Sequence, residues 1–321
     1  LYAATDITGL GNEAISLTES ISVSNANTIN ALTTGVVTSN LTTGTLASFA
    51  SLTETGNNFS ISFTDTSEVS AMGLSTLAGK TTDNIDAAAV NSFSGTFQEI
   101  SDLYSSSNII GLGNEQLIVS GALTVTEANA LSGFTGNIVT GVISAGSVSD
   151  LSNLSENGNS LTITVTDTTN VSASVLKNVA SKTSLDLDVT SILSLVGSTS
   201  DFSALYSTAN LNGFGDEDFN VNGLISVIEA STLDLLTSGT ITAEITPGSL
   251  SSFSPVAASN NIVGFTLTDT TFVSASELKV LADKTAGNVN AASISALSGT
   301  VAEVSSLYSV KNISGLGNEA M

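Results

Sequence analysis

The chain contains no histidine, cysteine, tryptophan or arginine, and only two prolines. Without histidine it cannot build a nucleophile that depends on an imidazole base. Without histidine and cysteine it can form neither the usual zinc centre nor a disulfide scaffold. With proline confined to Pro247 and Pro255, no proline-rich linker divides the chain. These absences argue against the commonest catalytic and metal centres and against flexibly tethered domains.

Basic residues and long apolar runs are also scarce. Six lysines face 29 acidic residues, for a net charge of −23, which argues against nucleic acid, because its binding needs Lys and Arg to displace counterions. No uninterrupted apolar run approaches the roughly 18 residues of a membrane-spanning helix, so no membrane insertion is expected. Hydrophobic residues still make up 41% of the chain, enough to predict a folded core.

One stretch recurs at a fixed interval. Gly9-Leu10-Gly11-Asn12-Glu13 returns unchanged at 111–115 and 315–319, and as Gly213-Phe214-Gly215-Asp216-Glu217 between them, with 111 − 9 = 213 − 111 = 315 − 213 = 102. A Leu-Tyr pair keeps the same step, beginning with Leu1-Tyr2. A constant period indicates a repeat array. Gly-x-Gly is typical of a sharp turn or a close backbone approach, so we expect a loop between the helix that ends near Leu-Tyr and the next strand.

The period sets the expected domain boundaries. Residues 1–8 end a preceding unit, 9–110, 111–212 and 213–314 are three repeat units, and 315–321 begin a following unit. Leu1–Ile15 and Leu307–Met321 are therefore equivalent. We expect either one longer chain or head-to-tail self-association through these segments.

Each half of a repeat unit predicts a β-α-β-α pattern. Alternating segments such as Leu161–Thr166 predict half-buried strands, and the Asp-Thr that follows each predicts a turn. Ser70, Ser172 and Ser274 are the predicted helix N-caps, and Ser274 with Glu277 forms the one full capping box expected. Apolar residues three apart then predict the buried helix face, and a Lys-Thr step closes the helix. The apolar pairs are Leu74/Leu77, Leu176/Val179 and Leu278/Leu281.

Steps of about 25 residues are too small to bury their own apolar faces, which favours stacking. We expect an α/β repeat protein of stacked β-α-β-α units, solenoid-like, with parallel strands and a 102-residue period. The alternative is a string of compact modules of about 102 residues. Neighbouring strands lie about 4.8 Å apart, so a stack of four steps advances about 19 Å per unit. Modules would advance roughly 30–40 Å.

The run Val273-Ser274-Ala275 through Lys284-Thr285, then Ser298–Tyr308, then Ile313 through Glu319, resembles giant tandem-repeat surface proteins of cyanobacteria and other aquatic bacteria. That group includes the type associated with non-flagellar swimming. The resemblance covers essentially the whole chain. It implies an extracellular, cell-surface structural role and no catalytic residues.

Carboxylates are the remaining candidates for chemistry. Asp186 and Asp188 form the tightest pair outside the turns, but a solvated strand face explains them better than acid–base catalysis does, so we expect no enzyme and no catalytic residue. Asp216, Glu217 and Asp218 form the densest acidic cluster, and calcium prefers such oxygen ligands. They are the candidate calcium ligands, with acidic turns that simply face water as the alternative, and no other cofactor is expected. The alternative function is the stalk of a calcium-dependent bacterial adhesin.

Glycans are a further open partner. Asn-x-Ser/Thr sites occur at Asn40, Asn58, Asn153, Asn170 and Asn312. They do not follow the 102-residue step, so we interpret them as incidental. Glycosylation on the many serines and threonines stays open.

Overall fold

The computed structural model describes residues 1–53, 55–155, 158–257, 261–317 and 319–320. Asn318 and Met321, which belong to the expected C-terminal segment, lie outside the described residues. The fold is α/β, with eleven α-helices in the described part and parallel strand pairing in every sheet. Contacts divide the chain into two compact bodies. The N-terminal body comprises 1–144, 153–163 and 182–185, and the C-terminal body comprises 145–152, 164–181 and 186–321.

The described residues of the N-terminal body form ten strands and five helices. In chain order they are β1 (Ile15–Ser16), α1 (Val23–Asn30), β2 (Val37–Asn40), α2 (Leu46–Phe49), β3 (Asn58–Ser62), β4 (Glu68–Ser70), α3 (Ala71–Ala78), β5 (Ile85–Asp86), β6 (Ser92–Gly95), α4 (Phe97–Ser105), β7 (Ile109–Ile110), β8 (Gln116–Leu123), α5 (Val125–Ser132), β9 (Val139–Ile143) and β10 (Ser160–Thr164).

These strands form two parallel rows within the body. One has the order β1-β2-β3-β5-β7, and the other runs β4-β6-β8-β9-β10. Glu68 pairs with Ser92 and Ser92 with Gln116, each 24 residues later (92 − 68 = 116 − 92 = 24). The β8–β9 register shifts between Ile118 and Ala122. The chain therefore returns to the same sheet after each short excursion.

The C-terminal body continues with α6 (Val148–Leu151), β11 (Val171–Ser172), α7 (Ala173–Ala180), β12 (Leu187–Asp188), β13 (Ser194–Gly197), α8 (Thr199–Tyr206), β14 (Leu211–Asn212), β15 (Asp218–Ile225), α9 (Val227–Leu233), β16 (Ile241–Ile245), a 3₁₀ turn (Leu250–Phe253), β17 (Ile262–Thr266), β18 (Phe272–Ser274), α10 (Ala275–Asp283), β19 (Val289–Asn290), β20 (Ala296–Ser298), α11 (Val301–Tyr308) and β21 (Ile313–Ser314). Its sheets are β11-β13-β15-β16-β17-β19-β21, β12-β14 and β18-β20.

The predicted helix faces are confirmed. Leu74, Leu176 and Leu278 have no exposed surface, and their partners three residues later are also buried. In the N-terminal body, α3 packs against α4; in the C-terminal body, α7 packs against α8 and α10 against α11. Each short helix thus buries one apolar face against the next helix and the sheet, as a repeated β-α step requires.

The expected count of one strand per helix is wrong. Most excursions carry two strands before the helix, for example β3 and β4 before α3, or β12 and β13 before α8. The second strand has two to four residues, except for β8 and β15 with eight each, and a Ser or Thr N-cap at its end begins the helix. The aspartate of each Asp-Thr turn has a more distant hydrogen-bond partner than expected. Asp167 Oδ2, for example, accepts from the Val148 N–H at 2.6 Å, at the start of α6.

The predicted caps are confirmed in part. Ser70, Ser172 and Ser274 are N-caps whose side chains accept from a backbone N–H three residues later. The single capping box expected at Ser274 is wrong, since Glu277 does not return its bond. Reciprocal boxes form instead at Thr96/Glu99, Thr124/Glu127, Ser198/Asp201, Ser226/Glu229 and Thr300/Glu303. All five boxes have Glu or Asp at the third helical position, where its carboxylate accepts from the N-cap N–H.

Candidate functional site

The most regular polar feature is a hydrogen bond from a tyrosine hydroxyl to a glutamate eleven residues later. We call it the Tyr–Glu contact. It occurs four times, as Tyr2–Glu13 (2.9 Å), Tyr104–Glu115 (2.7 Å), Tyr206–Glu217 (2.6 Å) and Tyr308–Glu319 (2.7 Å). Both members come from the two sequence motifs that share the 102-residue step, so the contact joins the Leu-Tyr motif to the Gly-x-Gly loop.

The glutamate is held by its own loop. The Gly113 N–H donates to Glu115 Oε2 at 2.9 Å, and the Asn114 N–H does so at 3.1 Å. This geometry needs left-handed backbone at both glycines, with φ +84° at Gly111 and +126° at Gly113. A Cβ on Gly111 would also lie 2.7 Å from the Ala88 nitrogen. The loop therefore needs glycine for its conformation and, at Gly111, for its packing. It joins β7 to β8, not helix to strand as expected.

The tyrosine is positioned by a helix and by aromatic neighbours. In the N-terminal body, Tyr104 lies in the last turn of α4, which starts at the Thr96 capping box. Its ring stacks on Phe134 at 5.0 Å and meets Phe93 edge-on at 6.5 Å. In the C-terminal body, Tyr206 stacks on Phe214 at 5.2 Å. These contacts restrict the ring, so the hydroxyl points at the carboxylate.

The contact is partly desolvated. Glu115 and Glu217 are 2% and 1% exposed. Burial raises the pKa of the Tyr104 and Tyr206 hydroxyls, and the hydrogen bond to the neighbouring glutamate raises it further. The hydroxyl is therefore a donor over the whole neutral range. The arrangement supplies a buried carboxylate with hydrogen-bond donors from tyrosine and backbone.

A second set of polar side chains consists of buried threonines and asparagines that hydrogen-bond the backbone of an earlier strand or loop. Thr135 Oγ1 donates to the Glu115 carbonyl at 2.6 Å. Asn159 Oδ1 accepts from the Val139 N–H at 2.9 Å, and Thr183 Oγ1 both accepts from the Leu161 N–H and donates to its carbonyl. All three side chains are buried. The equivalent residues make the same bonds elsewhere: Thr33 and Thr237, Asn57 and Asn261, Thr81 and Thr285.

The candidate calcium ligands do not converge on one point. Glu217 Oε2 accepts from Tyr206 and from the Gly215 N–H at 3.0 Å. Asp218 Oδ1 accepts from the Thr240 N–H at 2.7 Å, and Asp216 is exposed. Within the described residues, no three carboxylates are grouped so as to hold a metal ion. Calcium at Asp216, Glu217 and Asp218 stays a hypothesis.

Asp186 and Asp188 and two surface grooves are the other places to examine for acid–base chemistry. Asp188 Oδ1 accepts from Thr190, and Asp186 precedes β12. A groove of about 460 Å³ between α2 and α3 contains no carboxylate, and one of about 510 Å³ beside α10 contains Glu277 alone. Both grooves are mainly apolar. Neither supplies the two carboxyl groups that acid–base chemistry needs.

Two residues that the sequence analysis interpreted locally have longer-range partners. Lys284 Nζ donates to the Ser254 carbonyl at 2.9 Å, and so bonds an earlier turn of the chain. Asn312, one of the glycosylation candidates, donates its amide to three backbone carbonyls, those of Ala282, Thr285 and Gly287. The Asn312 amide therefore hydrogen-bonds the backbone of an earlier part of the chain.

No family model, curated protein or solved structure matches this chain. In the parts of the chain that are described, no helix is both long and apolar enough to cross a bilayer. The Tyr–Glu contact is not among the features predicted from the sequence, although the sequence contains a signal for it. Tyr and Glu keep a separation of eleven residues in all four copies, which two unrelated turn residues would have no reason to do.

Proposed function

We propose that this chain is a structural repeat protein whose 102-residue units continue head to tail in an extracellular filament or a giant cell-surface protein. The observation that carries the proposal is the Tyr–Glu contact, made four times at equivalent positions. Its first and last copies lie in Leu1–Ile15 and Leu307–Met321, the two segments that would coincide if one unit followed another. A contact used at every junction is what a repeating assembly needs.

The proposed architecture is a solenoid-like stack of parallel strands. In the N-terminal body, four successive parallel pairings lead from β4 through β6, β8 and β9 to β10. Each neighbouring strand adds about 4.8 Å along such a stack, so four turns give an advance of about 19 Å per unit. Buried Asn and Thr side chains support the same reading, because each bonds the backbone of the turn 20–22 residues before it.

The proposed location rests on surface chemistry and on the sequence resemblance. A net charge of −23 keeps copies soluble and disfavours binding to anionic membranes. Lysine is rare and arginine is absent, so a trypsin-like protease would find few cleavage sites. Both properties suit a protein exposed outside the cell, as the resemblance to giant bacterial surface proteins implies.

Electron microscopy of the native material tests this function. Antibodies against the chain should label filaments or the cell surface, and averaged images should show an axial repeat of about 19 Å per unit. A repeat above roughly 30 Å would replace the stack with separate modules but leave the structural role intact. Labelling confined to the cell interior would overturn the function itself.

A further inference from the structure

Helix α2 is half as long as its neighbours in the N-terminal body. It has four residues, whereas α1 and α3 have eight each. At about 1.5 Å per residue, α2 is about 6 Å long and α3 about 12 Å. Because α2 packs beside α3, part of the length of α3 stays uncovered, and a groove of about 460 Å³ opens between the two helices.

The groove between α2 and α3 is lined mainly by apolar side chains. Phe49, Leu52 and Leu77 line it and are buried, while Leu46 is half-buried and Met72 is 57% exposed. Small-molecule sites in proteins have volumes of about 300–1,000 Å³, with a mostly apolar lining and a few polar groups that orient the ligand. The groove has the size and the lining of such a site.

Among the described residues that line this groove, the one charged side chain is positive. Lys80 is half-buried and follows the end of α3. Within the described residues, its Nζ donates to the Thr53 carbonyl at 3.4 Å and takes part in no ion pair. An ammonium group has three donors, so Lys80 can also donate to a bound anion. Its apolar stem can lie along the groove, as lysine stems do at apolar surfaces.

An equivalent groove occurs in the C-terminal body. There the 3₁₀ turn Leu250–Phe253, also four residues long, lies beside α10, and the groove has a volume of about 510 Å³. Leu250 and Lys284 line it where Leu46 and Lys80 line the first groove, since 250 − 46 = 284 − 80 = 204, twice the repeat. In a chain with only six lysines, both grooves thus have one at the same place.

The two grooves differ in one charge. Glu277 lines the second groove at the position that Gly73 occupies in the first. A carboxylate at this position repels a bound anion. The first groove is therefore the better site for an anion, and the second is a comparison within the same chain.

We propose that the groove between α2 and α3 binds a single-chain anionic amphiphile, namely a long-chain carboxylate. The alkyl chain lies against Phe49, Leu77 and Met72, and the carboxylate accepts a hydrogen bond from Lys80 Nζ. Charge complementarity selects this class of ligand, because a net charge of −23 repels anions everywhere except beside a local positive group. The same net charge disfavours a second copy of this chain as the occupant, since two copies repel each other.

A tryptophan reporter tests the binding, and the absence of native tryptophan makes its signal specific. Met72→Trp places an indole at the rim of the first groove, and dodecanoate below its micelle concentration is the probe. We expect a saturable blue shift of the emission, because the alkyl chain displaces water from the indole. Decanoate should bind up to about fifteenfold more weakly, because it buries two fewer methylene groups. Calorimetry of the unmodified chain should rank the two carboxylates in the same order.

Lys80→Gln separates the charge from the apolar contacts. In the reporter chain it should weaken decanoate binding about fivefold, the upper range for an ion pair at a surface. Binding of 1-decanol, which has the same alkyl length and no charge, should not change. Lys311→Gln is the matched control, because Lys311 lines neither groove, and it should leave both affinities unchanged. Circular dichroism checks that each variant is folded.

Ser276→Trp reports on the second groove, at the position that matches Met72 (276 − 72 = 204). Dodecanoate should bind there more weakly than in the first groove. Glu277→Gln should reduce the difference, and it keeps the N-cap bond, which the Glu277 backbone N–H donates to Ser274.

The proposal would be overturned if dodecanoate gave neither a saturable signal in the Met72→Trp chain nor heat with the unmodified chain. Equal losses of decanoate and 1-decanol binding in Lys80→Gln would also contradict it. A dimer that forms in sedimentation and is lost in Lys80→Gln would assign the groove to a second copy instead. The proposed filament role is tested separately, because Phe49, Leu77 and Lys80 lie outside the paired strands and the Tyr–Glu contacts.

Discussion

Tyr206 donates its hydroxyl to Glu217 Oε2 at 2.6 Å, while the other oxygen of the same carboxylate is buried without a hydrogen-bond partner among the described residues. A buried carboxylate costs free energy unless it is paired and hydrogen-bonded. The tyrosine and the Gly215 N–H are the donors that offset this cost. The Tyr–Glu contact is therefore an obligatory part of the fold at this position.

Tyr206→Phe should destabilise the C-terminal body by about 1.5–3 kcal/mol, the range for a hydrogen bond to a charged group. The ring stays in place, so apolar packing changes little. Tyr308→Phe is the matched control, because Tyr308 is 44% exposed and water can replace its bond. Urea denaturation of both variants measures the difference. Equal losses for the two would show that burial does not govern the strength of the contact.

Gly111→Ala should destabilise the protein by more than Gly9→Ala does. The two glycines have nearly the same φ, +84° and +87°, so an added methyl group strains the backbone equally. At Gly111 the new Cβ would also lie 2.7 Å from the Ala88 nitrogen, whereas nothing lies within 4 Å of it at Gly9. The overpacking should add about 1–3 kcal/mol. Chemical denaturation of the two single variants isolates this packing contribution, and indistinguishable values would contradict it.

The local parts of this fold could be predicted from the sequence, and the long-range polar parts could not. Ser172 as N-cap and Leu176 with Val179 as a buried face depend on residues within one turn of helix. The Lys-Thr step predicts Thr183 only as the end of that same helix. Its hydroxyl instead bonds both backbone groups of Leu161, 22 residues earlier. A residue's chain neighbours do not reveal such a partner, because stacking decides which backbone groups come within reach.

Thr183→Val should cost about 1–3 kcal/mol, because valine fills the same space but leaves the buried N–H and carbonyl of Leu161 without this partner. Thr76→Val is the control. Thr76 is exposed and bonds only the Met72 carbonyl within α3, so its loss should stay within about 0.5 kcal/mol. Both residues lie in the N-terminal body, which makes thermal unfolding of the two variants directly comparable. Similar losses of stability in the two variants would mean that the Thr183 hydroxyl adds no stability and that its side chain only occupies space.

Stability should decline at both ends of the pH scale, for different reasons. Hydrogen bonds from Thr124 hold the pKa of Glu127 below its usual range, and Ser226 does the same for Glu229. Their contribution is present above the unfolded value of about 4.3 and is lost as the pH falls through the lowered one. Tyr104 has a raised pKa, so its contribution is present below about pH 10 and is lost as the pH rises beyond that.

Melting temperature measured across the pH scale checks both limbs. Glu127→Gln should flatten the acid limb and leave the alkaline limb unchanged. Tyr104→Phe should flatten the alkaline limb alone. A variant that altered the opposite limb would show that the assigned group does not titrate there.

Calcium binding at Asp216, Glu217 and Asp218 predicts that a chelator lowers the melting temperature by several degrees, since a ligand bound only to the folded state stabilises it by mass action. For Glu217 to bind the ion, its carboxylate would have to leave Tyr206 and Gly215. Calcium should then also change the near-ultraviolet circular dichroism of Tyr206, a signal that calcium bound elsewhere would not give.

Asp216→Asn is the probe variant, because Asp216 is exposed and its loss removes a ligand without disturbing the buried bond. It should weaken calcium binding about tenfold or more, a loss of 1.4 kcal/mol. A melting curve unchanged by chelator in both the parent chain and Asp216→Asn would eliminate the calcium hypothesis and with it the calcium-dependent adhesin stalk.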